Sequence, residues 1–192
     1  AAGLAAAIAA AECGDTVMVA EKMDRVGKKI LATGNGRCNL MNTGAPRYPG
    51  NAAFAAAVLS HCGAEEQKAF WEHLGLRLRQ EEAGRVYPVS SQASSVLDAL
   101  RLQLTALHVR VVTGVSITTL HRENDGWTAL SADGQQFRAN RVIISGGGCA
   151  QPKLGSDGSA LRLLTNLGCP AMPFAPALTQ IITDSTPIKG LS

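Results

Sequence analysis

The sequence predicts an α/β fold in which helices flank a parallel sheet and a β-hairpin or meander is inserted. Three observations predict it. The chain opens with an alanine-rich helical run that turns at a glycine into a short β-branched strand. Two glycine-rich stretches read as loops, TGNGRCNL at 33–40 and SGGGCAQPKLGSDG at 145–158, the second at the end of a strand. Between them lie short alternating runs divided by Asn124-Asp125-Gly126 and Asp133-Gly134, both hairpin signals.

The elements follow in order. Residues 1–13, AAGLAAAIAAAEC, are strong helix formers with Leu4, Ile8 and Ala11 on one face. Gly14-Asp15 ends that helix, and 16–21, TVMVAE, has the pattern of a buried parallel strand. Helix, tight turn and strand make the second half of a β-α-β unit. Residues 51–62 and 64–74 read as helices closed by Gly63 and Gly75. A hairpin around Glu81 to Gly84 occupies 76–88, and Ser90 or Ser91 can cap a helix running to about Leu107. Val109 to Thr113 is followed by strands at 115–121, 126–131 and 136–144, then by a helix over 157–168. Pro170, Pro173 and Pro176 suit a crossover into a new domain.

Composition bounds the function. The 192 residues are 46% hydrophobic and 17% charged, enough for a sizeable core. A net charge of +3 is too small to argue for a nucleic-acid partner. The five cysteines are odd in number and include no C-x-x-C, against a disulfide framework or zinc site and for a reducing cytoplasm. No span reaches the ~18 apolar residues of a membrane helix. The chain begins at Ala1 inside a helical pattern and stops at Ser192 without a closing element, so a fragment cut at both ends is expected.

Three motifs carry chemistry. A dinucleotide fold places G-x-G-x-x-G before its first helix and an acid ~20 residues further on for ribose hydroxyls. Gly3 and Glu21 fit the last glycine and the acid; a helix glycine and a solvated strand end fit equally well. The stretch 21–42 holds Lys22, Arg25, Lys28, Lys29 and Arg37. It reads as a nucleic-acid contact, a solvated basic loop, or a small-ligand loop in which bare backbone lies against the ligand and Arg37 forks an anion. The run Gly146-Gly147-Gly148 lets a ligand lie close at a strand's C-terminal end, or makes a flexible connection. The four histidines have no acid partner at meaningful spacing, and there is no G-x-S-x-G. Cys38 is either a nucleophile activated by nearby cations or a small packing residue.

EKMDRVGKKILATGNGRCNLMN resembles the loop of the bacterial FAD-dependent flavoproteins labelled NAD(P)/FAD-dependent oxidoreductase, aminoacetone oxidase family, or BaiN-like. The family pattern of E-K, G-[RK]-K-x-L and [ST]-G-[GN]-G-R-C-N falls on Glu21-Lys22, Gly27-Lys28-Lys29 with Leu31, and Thr33 to Asn39. GRVYPVSSQASSVLDAL and SGGGCAQPKLGSDG are similar to its middle and glycine-rich segments, and PALTQI followed by IKGLS to the entry into its substrate domain. The family's A-T-G-G is Ile144-Ser145-Gly146-Gly147 here, and the first two glycines of the dinucleotide motif are absent.

The resemblance implies an FAD/NAD(P)-binding Rossmann-like domain over 1–175, lacking its first strand and first glycines, and the start of an inserted substrate domain over 176–192. It implies FAD, with Gly3 at the helix start, Glu21 at the adenosine ribose, and Lys22 and Lys29 nearby. Gly34, Asn35, Gly36, Arg37, Cys38 and Asn39 would run along flavin and phosphates, Val115 would meet adenine through its backbone, and Gly146 and Gly147 would face the cofactor. The implied activity is hydride transfer between flavin and a small organic substrate, with NAD(P)H a candidate donor. The 192 residues alone are expected to be inactive. No nucleic acid, membrane or metal is expected. The competing readings are a flavin- or nucleotide-holding module without turnover, and an FAD-dependent protein that modifies RNA.

Overall fold

The computed structural model describes residues 1–45, 48, 50–172 and 174. Helix α1 (Ala2–Glu12) buries Leu4 and Ile8 as expected, with Ala7 beside them, while Ala11 is half-buried. Strand β1 (Met18–Glu21) follows, then α2 (Lys28–Ala32), β2 (Met41–Asn42), α3 (Ala52–Leu59) and α4 (Ala64–His73). The hairpin β3 (Leu78–Gln80) and β4 (Arg85–Pro88) leads into α5 (Ala93–Ala106). Then come β5 (Arg110–Thr113), β6 (Ile117–Glu123), β7 (Gly126–Ser131), β8 (Gln136–Ala139) and α6 (Ser159–Asn166).

The fold is α/β of the Rossmann type. β1 and β5 pair in parallel, from Met18 opposite Arg110 to Glu21 opposite Thr113. β2, β4 and β3 form one antiparallel sheet, and β6, β7 and β8 form the expected meander. Both turn signals work as read: Glu123 pairs with Gly126, and the Gly134 N–H donates to the Ser131 carbonyl at 3.1 Å; in the 76–88 hairpin the Glu81 N–H donates to the Arg85 carbonyl at 2.8 Å.

The core lies where α5 packs on α1 and α2. Val96, Leu97, Leu100 and Leu104 of α5 meet Leu4, Ala7 and Ile8 of α1 and Ile30 of α2. Leu100 and Ile8 are fully buried. This cluster seats the C-terminal end of β1 and the loop after it.

Four expectations change. The strand expected over 136–144 stops at Ala139, which pairs with Trp127. β7 begins at Gly126, one residue before Trp127, so no residue on it lies opposite anything beyond Asn140. Val142 and Ile143 are 38% and 66% exposed, with no strand pairing among the described residues. β1 is half-buried rather than buried, because among the described residues only β5 flanks it. Neither Ser90 nor Ser91 caps α5; its first turn follows Gln92 without a side-chain cap, and the Ser91 hydroxyl accepts from Arg79 at 2.9 Å. Gly63 serves α4 rather than α3: it precedes the helix, and its N–H donates to Glu66 Oε2 at 2.9 Å. The segment 176–192 lies outside the described residues.

Candidate functional site

The start of α1 faces the end of β1. α1 has neither a side-chain cap nor an acid in its first turn, so its free N–H groups and positive dipole end are left for a ligand. A Cβ added to Gly3 would sit 3.2 Å from the Ser145 Cβ, so the helix start touches the head of the glycine run. The Lys29 ammonium, the Glu21 carboxylate and the Cys38 thiol all lie close enough to act on the Ala1 nitrogen. Lys29, Glu21 and Cys38 therefore surround the same helix end.

Glu21 closes β1. Its Oε1 accepts from the Met23 N–H at 2.9 Å, which fixes the carboxylate at the strand end. Its carbonyl accepts from the Val115 N–H at 3.0 Å, extending the parallel pairing past Thr113. Val115 is buried with its N–H committed, so its carbonyl is the backbone group left for a ligand.

The loop after α2 is left-handed at four of five positions. Gly34, Asn35, Gly36 and Cys38 have φ of 55°, 53°, 81° and 58°. Two of these are not glycine, a conformation that costs about 1–2 kcal/mol per residue and persists only where surrounding contacts impose it. Gly34 is required on a second count: a Cβ there would lie 2.7 Å from the Asn39 nitrogen. Gly34, Asn35, Gly36 and Asn39 are exposed.

Arg37 does not project freely. Its guanidinium pairs with Glu81 and lies over the Tyr87 ring, 4.1 Å from the centroid. Arg79 shares Glu81 at 2.8 Å, and the two arginines hold the Glu81 carboxyl below its ordinary value. Arg37 thus fastens the loop to the β3–β4 hairpin. Cys38 is 6% exposed within the main core cluster. Burial pushes its thiol above the ordinary value, against a smaller opposing hydrogen bond with Thr33. That is the opposite of an activated nucleophile and matches the packing reading.

The second glycine loop meets the first through Lys29. A Cβ on Gly147, whose φ is 81°, would fall 2.9 Å from Ser156 Oγ and 3.1 Å from Lys29 Nζ. A Cβ on Gly146 would fall 2.8 Å from the Ala160 Cβ, so α6 packs directly beneath the run. Lys22 reaches the same loop from β1, with its Nζ 2.7 Å from Asp157 Oδ2. Lys28, the first residue of α2, pairs with Asp24 in the preceding loop. Half-buried Lys29 has no carboxylate within ion-pair distance among the described residues, which leaves it the inward cation still free to meet an anion.

The thirteen expected residues lie on five segments, the start of α1, the end of β1, α2 with its loop, the connection after β5 and the glycine run, but Lys22 and Arg37 spend their charge within the protein. Sequence reasoning missed Asp157, Glu81 and Tyr87. Asp157 is an acid inside a glycine loop and could have been flagged; nothing local marks the other two. Among the described residues no group of three or more His, Cys, Asp or Glu could hold a metal, and no helix is long and apolar enough to cross a membrane.

A strand-end carboxylate, an uncapped helix start, an unpaired ammonium and two stretches of bare backbone are the donor set a dinucleotide needs: hydroxyl acceptor, phosphate donors and room for flat rings. The fold defines a Rossmann-type α/β domain. The chain belongs to the family of the HI0933-like protein Rossmann domain, whose family model matches residues 1–176. It is 43% identical over 192 residues to the 3-dehydro-bile acid delta(4,6)-reductase of Clostridium scindens, covering 97% of this chain and 46% of the reductase. It is 24% identical to the ribosomal RNA dihydrouridine synthase of Haemophilus influenzae, covering 100% of this chain and 50% of that protein. The chain therefore spans about half the length of these curated relatives. Among solved structures it is similar to glycine oxidase from Geobacillus kaustophilus, with a TM-score of 0.46 and 17% identity over 86% of this chain and 55% of that one.

Proposed function

We propose that this chain is the FAD-binding part of a flavin-dependent oxidoreductase that moves a hydride between flavin and a small organic substrate, with NAD(P)H as the electron donor. The observation that carries the reading is the convergence of Glu21, Lys29 and the glycine run on the start of α1. The likeness to a bile-acid reductase supports the redox class.

Each residue then has a task. Glu21 accepts from the adenosine ribose hydroxyls, and the Val115 carbonyl meets the adenine edge. The α1 N–H groups and Lys29 take the phosphates. Gly34, Asn35 and Gly36 give bare backbone to the flavin, with Asn39 beside them, and Arg37 and Cys38 hold that loop in shape from below. Gly146 and Gly147 keep the opposite wall free of side chains. FAD supplies the two-electron chemistry when bound. Five free thiols suit the reducing cytoplasm of a bacterial cell.

The test is the visible spectrum of the purified full-length protein. A yellow preparation bleached anaerobically by NADH or NADPH is expected. A colourless protein that stays colourless after FAD is added overturns the reading, and a yellow protein that neither nucleotide nor substrate bleaches makes it a holding module.

A second reading is favoured by the ribosomal RNA dihydrouridine synthases among the relatives, at 24% and 22% identity. There the substrate is a pyrimidine base in RNA. The pairing of Lys22, Lys28 and Arg37 with carboxylates leaves the 21–42 stretch less basic than it reads. Salt-dependent RNA retention, lost when Lys28 and Lys29 are replaced, would select this reading.

A further inference from the structure

Lys22 directly follows Glu21, and the family pattern makes it a cofactor contact. Its ammonium points elsewhere. Nζ lies 2.7 Å from Asp157 Oδ2 and donates to Ser159 Oγ at 3.4 Å. Asp157 in turn accepts from the Ser159 N–H through Oδ1 at 3.1 Å, so the same carboxylate fixes the first turn of α6. These bonds hold the Asp157 carboxyl far below the usual carboxylate range, with Lys22 the largest cause.

The contacts continue into the glycine run. The Gly158 N–H donates to the Gly148 carbonyl at 3.1 Å, closing the loop between them. Gly146 rests on Ala160 of α6, and Gly155 lies against the Lys22 and Met23 side chains, with a Cβ position 3.7 Å from Lys22 Cε. An unbroken series of contacts therefore joins Glu21, through Lys22, Asp157 and α6, to Gly146 and Gly147. Lys22 is 23% exposed and Asp157 38%, so the lysine is part-shielded while the carboxylate still meets solvent.

We infer that the Lys22–Asp157 pair is a strut that sets the distance between the ribose carboxylate and the glycine run, so that both residues position the cofactor without touching it. The inference rests on the proposed FAD site. The strut matters because each wall grips a different part of the same ligand: a change in their spacing loses one grip whenever the other is made.

The experiment measures FAD dissociation constants for the full-length protein and its Lys22→Met, Asp157→Asn and double variants, by flavin fluorescence, with thermal melts alongside. A strut predicts that each single change weakens FAD about fivefold, the scale of a part-shielded ion pair. The double variant then binds no worse than either single one, and Lys22→Arg recovers most of the affinity. Glu21→Gln must also cost less in the Lys22→Met background than in the native one, a coupling that general loss of stability does not produce. Should Lys22→Met fold poorly, Asp157→Asn and Lys22→Arg carry the test. A direct Lys22 contact predicts instead that Lys22→Met weakens binding while Asp157→Asn leaves it unchanged or tighter, and that result overturns the strut. A native protein that binds no FAD fails the proposed function itself; one that binds FAD but is indifferent to Asp157→Asn fails the strut alone.

Discussion

Arg37 lies over the face of Tyr87, 4.1 Å from the ring centroid, while its guanidinium is held by Glu81. The residue that reads as an anion contact is a fastener between the glycine loop and the β3–β4 hairpin. A cation over an aromatic ring contributes about 0.5–2 kcal/mol, according to how far it is desolvated. Replacing Tyr87 by Leu keeps the bulk and removes the ring. Its expected result is a melting temperature lower by a few degrees and FAD binding weakened about tenfold, because the loop loses its fixed shape. Equal FAD affinity in Tyr87→Leu and native protein would show that the loop does not depend on this fastening.

Gly34 and Gly36 separate two reasons for glycine. Both have positive φ, but only at Gly34 would a Cβ run into backbone, at 2.7 Å from the Asn39 nitrogen; at Gly36 the nearest atom is 4.0 Å away. Gly36→Ala should cost about 1 kcal/mol from conformation alone. Gly34→Ala should cost more and also abolish flavin retention, since the loop must move to relieve the overlap. Denaturant unfolding with flavin content measured on the same samples checks both.

Cys38 gives stability a pH dependence of known sign. Its thiol is raised above an ordinary value near 9.0, so the folded state keeps the proton that the unfolded chain gives up. The contribution is fully present below pH ~9 and is lost as pH rises through the folded value. Cys38→Ser should flatten the alkaline limb of the stability profile. In the native protein at pH 8, thiol-labelling reagents should reach the exposed Cys13, Cys62, Cys149 and Cys169 well before Cys38.

Leu100 anchors the helix layer beneath the site and is fully buried. Leu100→Ala should lose about 2–5 kcal/mol to the transfer and cavity terms. Exposed Leu102 on the same helix, 71% accessible, should tolerate alanine at less than about 0.5 kcal/mol. Chemical denaturation of both variants measures the contrast.

Most of the element order was legible because it is set by neighbours in sequence. Alanines write α1, the turn at Gly14 releases β1, and the Asn-Asp-Gly and Asp-Gly turns define the meander. The apolar run at 141–145 misled for a physical reason. Val142 and Ile143 carry strand propensity, but a strand exists only beside a hydrogen-bonding neighbour, and β7 has already run out at Gly126. The caps failed similarly, since Ser91 found Arg79 across the hairpin rather than the helix below it.

The sequence by itself determined where the chain has bare backbone, where an acid closes β1, and that five cations crowd 22–37. Only the tertiary structure decided which of those cations are available. Lys22 meets Asp157 across the fold, Arg37 meets Glu81 from 44 residues away, and Lys29 is left beside Gly147 and the start of α1. The reason is that a charge counts at a site only over a few ångströms, and chain crossings rather than composition set those distances.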